Sequence, residues 1–555
     1  MPRMTGSQFI AETFHGYGIT HCFFMPVIIP RALMHMEELG IKRIMTHGEK
    51  SAAYMADAYA RVKRSTGVCM AQSVGAANLA AGLQDAYLAC APVLAITGRQ
   101  TTVNLNRHAY QEVDHVAPFG AVTKYNVHVS EAAELPYFLR QAFRESVSGT
   151  PGPVHLDIEG FVGQVVGEGE ADLEVFVDEP YKQSPPYRPE PDDASVKEAV
   201  RLLTEAQRPI IIAGGGVTTS GADQELVTLA EKLSIPVATS LNAKATFPYD
   251  HPLGVGVCGH YSRECANRAV SDADLIFFVG SHTGGQVTNE WHVPPPNTPI
   301  MQLDINASEI GRNYPIRFGI QADAKTALKK MVDAANSVER ESWVAQIQAH
   351  VSRWRDEVAP LVHSDDIPIR PERLCRELTD HLPSDAILVS DTGHSGIWTG
   401  TMIDLKHPEQ SFVRCSGSLG WGIPGAIGAK CAAPDRPVLC FVGDGGIWYH
   451  MTEFDTAVRN DIPVVFVVNN NASLNQEKDV NERTYGSQVK GSDELWHMTD
   501  GDFARMGESM GTLGITVHKA TEMKSALDQA FSSGRPTVID VKTHIDGIAP
   551  RAWAP

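Results

Sequence analysis

The stretch 437-PVLCFVGDGGIWYHMTEFDTAVRNDIPVVFVVNNN-471 decides the fold. It holds two runs of apolar, largely β-branched residues, Pro437 to Val442 and Pro463 to Val468. Runs of this length without polar alternation predict strands covered on both faces. The residues between them have helical character, so the unit reads as strand, crossover helix and parallel strand. Asp444 and Asn471 stand 27 positions apart. That span returns Asn471 to the same carboxyl edge of the sheet as Asp444, where ligands bind in open α/β sheets.

The same pattern extends in both directions. Gly67 to Ala71, Pro92 to Ile96, Pro209 to Ala213, Ala273 to Val279 and Ala386 to Ser390 are further buried-strand candidates, with amphipathic helical stretches between them. Alternation of this kind predicts doubly wound α/β domains. The run EPYKQSPPYRPEPDD, 179–193, is too rich in Pro and charge for a helix or sheet interior and reads as a linker. A second break follows a charged helical stretch, 339–360, and leads through 364–371. The chain therefore divides at 1–178, 193–338 and 366–555. The first and third segments could share a fold without sharing sequence.

Composition narrows the function. Hydrophobic residues at 43% and charged residues at 20% are globular values and exclude disorder as the main state. A net charge of −19 with scattered Lys and Arg lacks the basic footprint of a nucleic-acid binder and opposes anionic lipid. Any anionic ligand must then be held locally, by helix N-termini or a metal ion. No apolar run is long enough to span a membrane, and residues 1–20 lack the continuous apolar core of a signal peptide, so the expectation is a cytoplasmic protein. Nine Cys without a CxxC pair read as buried free thiols.

The chemistry of the opening stretch fits magnesium and diphosphate. An Asp carboxylate and an Asn carbonyl are hard oxygen ligands of the kind Mg²⁺ takes alongside water and phosphate. Gly445 and Gly446 let backbone N–H groups approach phosphate at the start of a helix. The pattern GDG, a helix, a strand and then NN resembles the signature of thiamine-diphosphate (ThDP) enzymes. The resemblance implies Asp444 and Asn471 as metal ligands, with the Ser473 backbone carbonyl as the third. The triplet Asn469-Asn470-Asn471 leaves the register open by one, and Asn471 is taken from the position of Pro463. Gly443, Leu474 and Asn475 belong to the same implied cofactor-binding set.

ThDP also needs a desolvated carboxylate to drive its aminopyrimidine ring into the reactive tautomer. The segment Ile44 to Arg61 resembles the "HE…A…MA.GYAR" segment of the acetolactate synthase group and places Glu49 in that role. Here Gly48 separates His47 from Glu49, where the group has His immediately before Glu. The segment from Val74 to Tyr87, carrying Gly75 and Asn78, resembles "GPGATN…GLADAY". Tyr110 to Asp114 resembles "FQExD", which puts Gln111 on the substrate side. Ser416 to Pro424 resembles "GTMGFGLP", with Leu419 wedged beneath the bent cofactor and the Gly417 carbonyl accepting from its 4′-amino group. Asp391 to Ser395 resembles the "VGQH" loop, so Gly393, His394 and Ser395 should meet the diphosphate.

The resemblance, of the acetolactate synthase/benzaldehyde lyase type, covers nearly the whole chain. It implies two ThDP domains, for the pyrimidine and the diphosphate, flanking a central Rossmann-like domain. It also implies a homodimer that shares its sites, within a homotetramer. Gly214 to Gly216 is a weak nucleotide signal, and the Arg-containing stretch associated with FAD is missing at Ser281 to Thr288. FAD is thus the lesser expectation and a structural central domain the default. Two departures bear on substrate. Val27 and Ile28 replace glycines of the "FGxPGG" loop, and the Lys of "GPVxxDIPKD" is absent from Gly152 to Gly160. The expected activity is a lyase or carboligase acting on a 2-oxo acid or 2-hydroxy ketone. The alternatives are a 2-hydroxyacyl-CoA lyase or acyl-CoA decarboxylase, and a ThDP-binding protein without catalysis.

Overall fold

A computed structural model describes residues 2–486 and 491–555. Three six-stranded sheets follow one another along the chain, and every strand pair within them is parallel. In the N-terminal domain the strands lie side by side as Lys42–Met45, His21–Phe24, Gly67–Ala71, Val93–Arg99, Val154–Glu159 and Tyr125–Val129. In the C-terminal domain the order is Ser411–Arg414, Ile387–Ser390, Val438–Gly443, Val465–Asn470, Thr537–Lys542 and Leu513–Val517. Both orders have the same topology, with the first two and the last two strands exchanged relative to the chain. The central sheet runs Gly254–Val257, Val237–Thr239, Pro209–Ala213, Leu275–Val279, Ile300–Asp304 and Phe318–Gln321, the order of a dinucleotide-binding fold.

Burial explains the uniform apolar runs. Pro209–Ala213, Leu275–Val279 and Val465–Asn470 are buried at every residue, because helices cover both faces of each sheet. The helix Asp193–Glu205 ends the Pro-rich connection; Asp192 caps it by accepting from Ser195 N, and Val196, Ala199, Val200 and Leu203 face inward. Of the nine cysteines, all free, eight are buried and Cys90 is half-buried. No helix among the described residues is long and apolar enough to cross a membrane.

The flanking domains share one apolar core. The helix Glu49–Lys63, with Ala52, Ala53, Ala56 and Ala60, crosses the helix Gly422–Ala432, with Gly425, Ala426, Gly428 and Ala429. Small residues let the backbones close up: a Cβ at Gly428 would sit 2.1 Å from the Met55 carbonyl oxygen. Polar ties reinforce the crossing. Trp421 Nε1 donates to Asp57 at 2.9 Å, and Arg61 Nη1 donates to the Arg414 carbonyl at 2.8 Å. Gly428→Ala forces this crossing apart. The expected loss of stability is about 1–3 kcal/mol, read as a lower denaturation midpoint; an unchanged midpoint would show that the crossing is looser than described.

Candidate functional site

In each flanking sheet the strand order reverses between two neighbours, and a crevice opens beyond their carboxyl ends. In the C-terminal domain those strands are Ile387–Ser390 and Val438–Gly443, which lead into Asp391 to Ser395 and into Asp444. Asp444 opens the helix Asp444–His450 and is buried. Its Oδ1 accepts from Gly445 N at 2.8 Å, and its Oδ2 accepts from Asn471 N and Ser473 N, each at 3.0 Å. Burial pushes this carboxyl up to about 6, against the opposing pull of the Ser473, Gly445 and Asn471 amides.

The neighbouring strand, Val465–Asn470, delivers three asparagines with different commitments. Asn470 turns away, donating to Asp540 Oδ1 at 2.8 Å and to the Gly501 carbonyl at 2.9 Å. Asn469 stands opposite Gly443, and its buried Oδ1 has no partner. Asn471, one residue past the strand and tied to Asp444 through its backbone, also carries a buried Oδ1 without a partner. Ala472 follows in the left-handed region at φ 56, a strained setting for a non-glycine residue, and reverses the chain into Ser473. Leu474 packs so close that a Cβ at Gly445 would lie 2.3 Å from its Cδ2. Asn475 donates to the carbonyls of Ile545 and Gly547, which leaves its own Oδ1 unpartnered.

These donors suit a hard dication. They comprise one carboxylate, the open amide oxygens of Asn469 and Asn471 and a tight turn of backbone, which is the oxygen chemistry Mg²⁺ takes. Across the crevice, Gly393 has φ 63 and ψ −141, a conformation reserved for glycine, and starts the helix His394–Thr401. Burial lowers the His394 imidazole to about 4, so it is neutral at pH 7, and its Nδ1 is buried without a partner. Ser395 is buried beside Gly443.

Two carboxylates that the sequence reading did not single out shape the loop Ser416 to Gly422. Asp391 Oδ1 accepts from Gly420 N at 3.1 Å, and its Oδ2 accepts from Gly422 N at 2.8 Å. Asp85, from the N-terminal domain, accepts from Ser416 N at 2.5 Å and Ser418 N at 2.9 Å. Gly417 is left exposed and Leu419 half-buried between these clamps. An Asp closing a buried strand, as Asp391 does, was the available signal; Asp85 gave none, because its partners lie more than 300 residues away.

The N-terminal residues gather at the start of the helix Ser73–Leu88. Glu49 Oε2 accepts from Asn78 Nδ2 at 3.1 Å, and a Cβ at Gly75 would lie 2.3 Å from Glu49 Oε1. The Gln111 backbone is left-handed at φ 56, its carbonyl accepts from Ser73 Oγ at 2.5 Å, and its Oε1 is buried without a partner. Val27 is half exposed, whereas Ile28 is fully buried in the N-terminal core and supports the loop from beneath. His47, before Gly48, turns outward to Asp455 at 2.7 Å.

The residues around Glu49 and the loop around Gly417 are supported at opposite ends of one helix. Gly75, which touches Glu49, and Asp85, which holds the Gly417 loop, are ten residues apart on one helix, or about 15 Å along its axis. A separate cavity of about 420 Å³ opens where the three domains join, lined among others by Arg61, Gly215, His282, Asp304 and Arg414. There Gly214 and Gly216 pack directly on Gly280, with Cβ positions 2.1 Å and 2.7 Å from its atoms, so helix–strand packing alone requires both glycines.

Three family models match the chain. The N-terminal TPP binding domain of thiamine pyrophosphate enzymes covers residues 4–117, the central domain 196–331 and the C-terminal TPP binding domain 391–541. A probable acetolactate synthase large subunit from Methanocaldococcus jannaschii is 32% identical over 554 residues, 97% of this chain and 92% of that protein. The acetolactate synthase large subunit of Lactococcus lactis is 31% identical over 551 residues, 97% of this chain and 92% of that protein. A sulfoacetaldehyde acetyltransferase from Castellaniella defragrans is 30% identical over 575 residues, 97% of this chain and 93% of that protein. One family model in each of the three domains and relatives aligned over 97% of the chain leave one assignment: the chain belongs to the ThDP-dependent enzymes of the acetolactate synthase family.

Proposed function

We propose that the protein is a ThDP- and Mg²⁺-dependent carbon–carbon lyase or carboligase acting on a 2-oxo acid or a 2-hydroxy ketone. The observation that carries this reading is the open Asn471 Oδ1 beside the buried Asp444 carboxylate at the sheet's carboxyl edge. Asp444, Asn471 and the Ser473 carbonyl would hold Mg²⁺. Gly443, Gly445 and Gly446 would let the diphosphate approach the backbone, and His394 with Gly393 and Ser395 would face it across the crevice. Neutral His394 donates one N–H without adding charge. Leu419 would support the cofactor rings from below, with the Gly417 carbonyl as acceptor for the amino group.

When bound, ThDP supplies a nucleophilic carbon and an electron sink for the carbanion left by departing CO₂ or aldehyde. The protein's task is to move one proton and to exclude water. Glu49 would share its proton with the pyrimidine ring, with Asn78 fixing its orientation and Gly75 leaving it room. Gln111 would orient the substrate, and Val27 would cover its apolar part.

The 15 Å between Gly75 and Asp85, which support Glu49 and the Gly417 loop, supports a reading in which Glu49 comes from a second copy of the chain. The helix Ser73–Leu88 carries exposed Val74, Tyr87 and Leu88, apolar area suited to that contact. The proposed unit is a homodimer sharing its sites, assembled further into a homotetramer.

Three outcomes are expected from this geometry. Asn471→Ala should weaken Mg²⁺-dependent ThDP binding in calorimetry with little change in melting temperature, whereas Asn470→Ala should lower the melting temperature by breaking its bonds to Asp540 and Gly501. The reverse pattern would move the metal register. For the reaction itself, a panel of 2-oxo acids and 2-hydroxy ketones should release CO₂ or aldehyde only with ThDP and Mg²⁺. Mixing inactive Glu49→Ala and Asp444→Ala chains should then recover about a quarter of the native rate, since half the dimers are hybrids with one intact site. No recovery after verified subunit exchange would refute the shared site.

A further inference from the structure

Behind the Gln111 turn lies a buried polar chain that the proposed chemistry does not use. Ser73 Oγ donates to the Gln111 carbonyl at 2.5 Å. The same Oγ lies 3.3 Å from His115 Nε2, and His115 Nδ1 lies 3.1 Å from Asp157 Oδ1. Ser73 is 1% exposed, and His115 and Asp157 are 0% exposed, so no substrate reaches this serine. The chain matches a hydrolytic triad only in its residue types.

Donor bookkeeping fixes its polarity. A carbonyl oxygen only accepts, so the single Ser73 hydroxyl hydrogen goes to Gln111, and the serine oxygen packs against His115 Nε2. An ionised Asp157 also only accepts, so the hydrogen between them sits on His115 Nδ1. Thr97 donates to the same Asp157 oxygen at 2.8 Å, and Arg99 Nη1 stands 3.7 Å from the other. Burial alone would raise the Asp157 carboxyl, but the His115 bond and the nearby imidazoles outweigh it and hold it below the ordinary range. Burying such a chain costs desolvation that well-packed apolar side chains would avoid, so its retention calls for a local purpose.

That purpose is visible at its end. Gln111 is a non-glycine residue in the left-handed region, held there from one side by Ser73 and flanked by Gln100 Nε2, which donates to the Tyr110 carbonyl at 2.6 Å. The strained turn is what places the Gln111 amide with its Oε1 buried and unpartnered. We propose that Ser73, His115 and Asp157 form a positioning relay that holds Gln111 in its strained turn so that its side-chain oxygen meets a donor group of the substrate. Because Ser73 also starts the helix that bears Gly75 and Asn78, a single helix N-terminus positions both Glu49 and Gln111. The relay rests on the role proposed above for Gln111.

The test uses Ser73→Ala, which removes only the hydroxyl, and Ser73→Thr, which restores it. Hydrogen–deuterium exchange of the full-length protein without substrate should accelerate by about 3- to 10-fold across residues 106–114 in Ser73→Ala, the size set by one buried hydrogen bond, and leave the helix Glu49–Lys63 unchanged. On the substrate identified in the panel, KM should rise by about the same factor with kcat within 2-fold. Ser73→Thr should return both values toward native. A lower melting temperature with native exchange at 106–114 and native KM would overturn the relay. Accelerated exchange with an unchanged KM would overturn the substrate role while leaving the ThDP reading intact, and an inert substrate panel would remove that reading without altering the exchange result.

Discussion

The structure depends on a carboxylate that has been taken out of water. Asp444 has given up solvent for three backbone N–H groups, two of them from a loop 27 and 29 residues further along. Those amides come from the ends of two adjacent parallel strands, so their convergence requires the whole strand–helix–strand unit to close in register. Burial still leaves the carboxyl well above its ordinary range, which makes the site receptive to a countercharge. A dication would meet that need and could also use a neighbouring asparagine amide oxygen that no protein group satisfies.

The two flanking domains repeat one strand order and bring unrelated residues to equivalent edges. One edge gathers Gly443, Gly445 and Gly446 beside Asp444, the other the Glu49 carboxylate and the Gln111 amide. The helix Ser73–Leu88 acts as a ruler between them. Its first turn supports Glu49 and Gln111, and near its far end Asp85 grips the loop that carries Gly417 and Leu419. In the proposed dimer each copy of the chain would organise parts of two sites, and the domain crossing at Gly428 and Met55 would set how those parts are spaced.

Much of this was legible in the sequence, because it rests on periodicity and spacing. Unbroken apolar runs marked strands with both faces covered, and Pro-rich segments marked the joints. The 27-residue interval between Asp444 and Asn471 follows from the length of one crossover, so their adjacency could be read from spacing alone. The Asn triplet could not be resolved that way, since only side-chain partners set Asn470, committed to Asp540, apart from Asn469 and Asn471, whose amide oxygens are open. Val27 and Ile28 look equivalent in sequence, yet the bend of the loop after His21–Phe24 sends one outward and the other into the core. Asp85, Asp391 and the Ser73–His115–Asp157 chain were illegible for a different reason. Each acts through contacts set by tertiary packing, and an isolated Asp or His gives no sign of which distant amide or hydroxyl it will meet.

The central claim is that a glutamate on one sheet edge activates a cofactor held at another. Proton exchange at C2 of bound ThDP, followed by NMR, tests it most directly because no substrate is involved. In Glu49→Gln, which keeps the size of the side chain and loses its acid, ThDP should still bind while exchange slows by about 10²–10⁴-fold. Exchange at the native rate in that variant would contradict the account and remove Glu49 from the site.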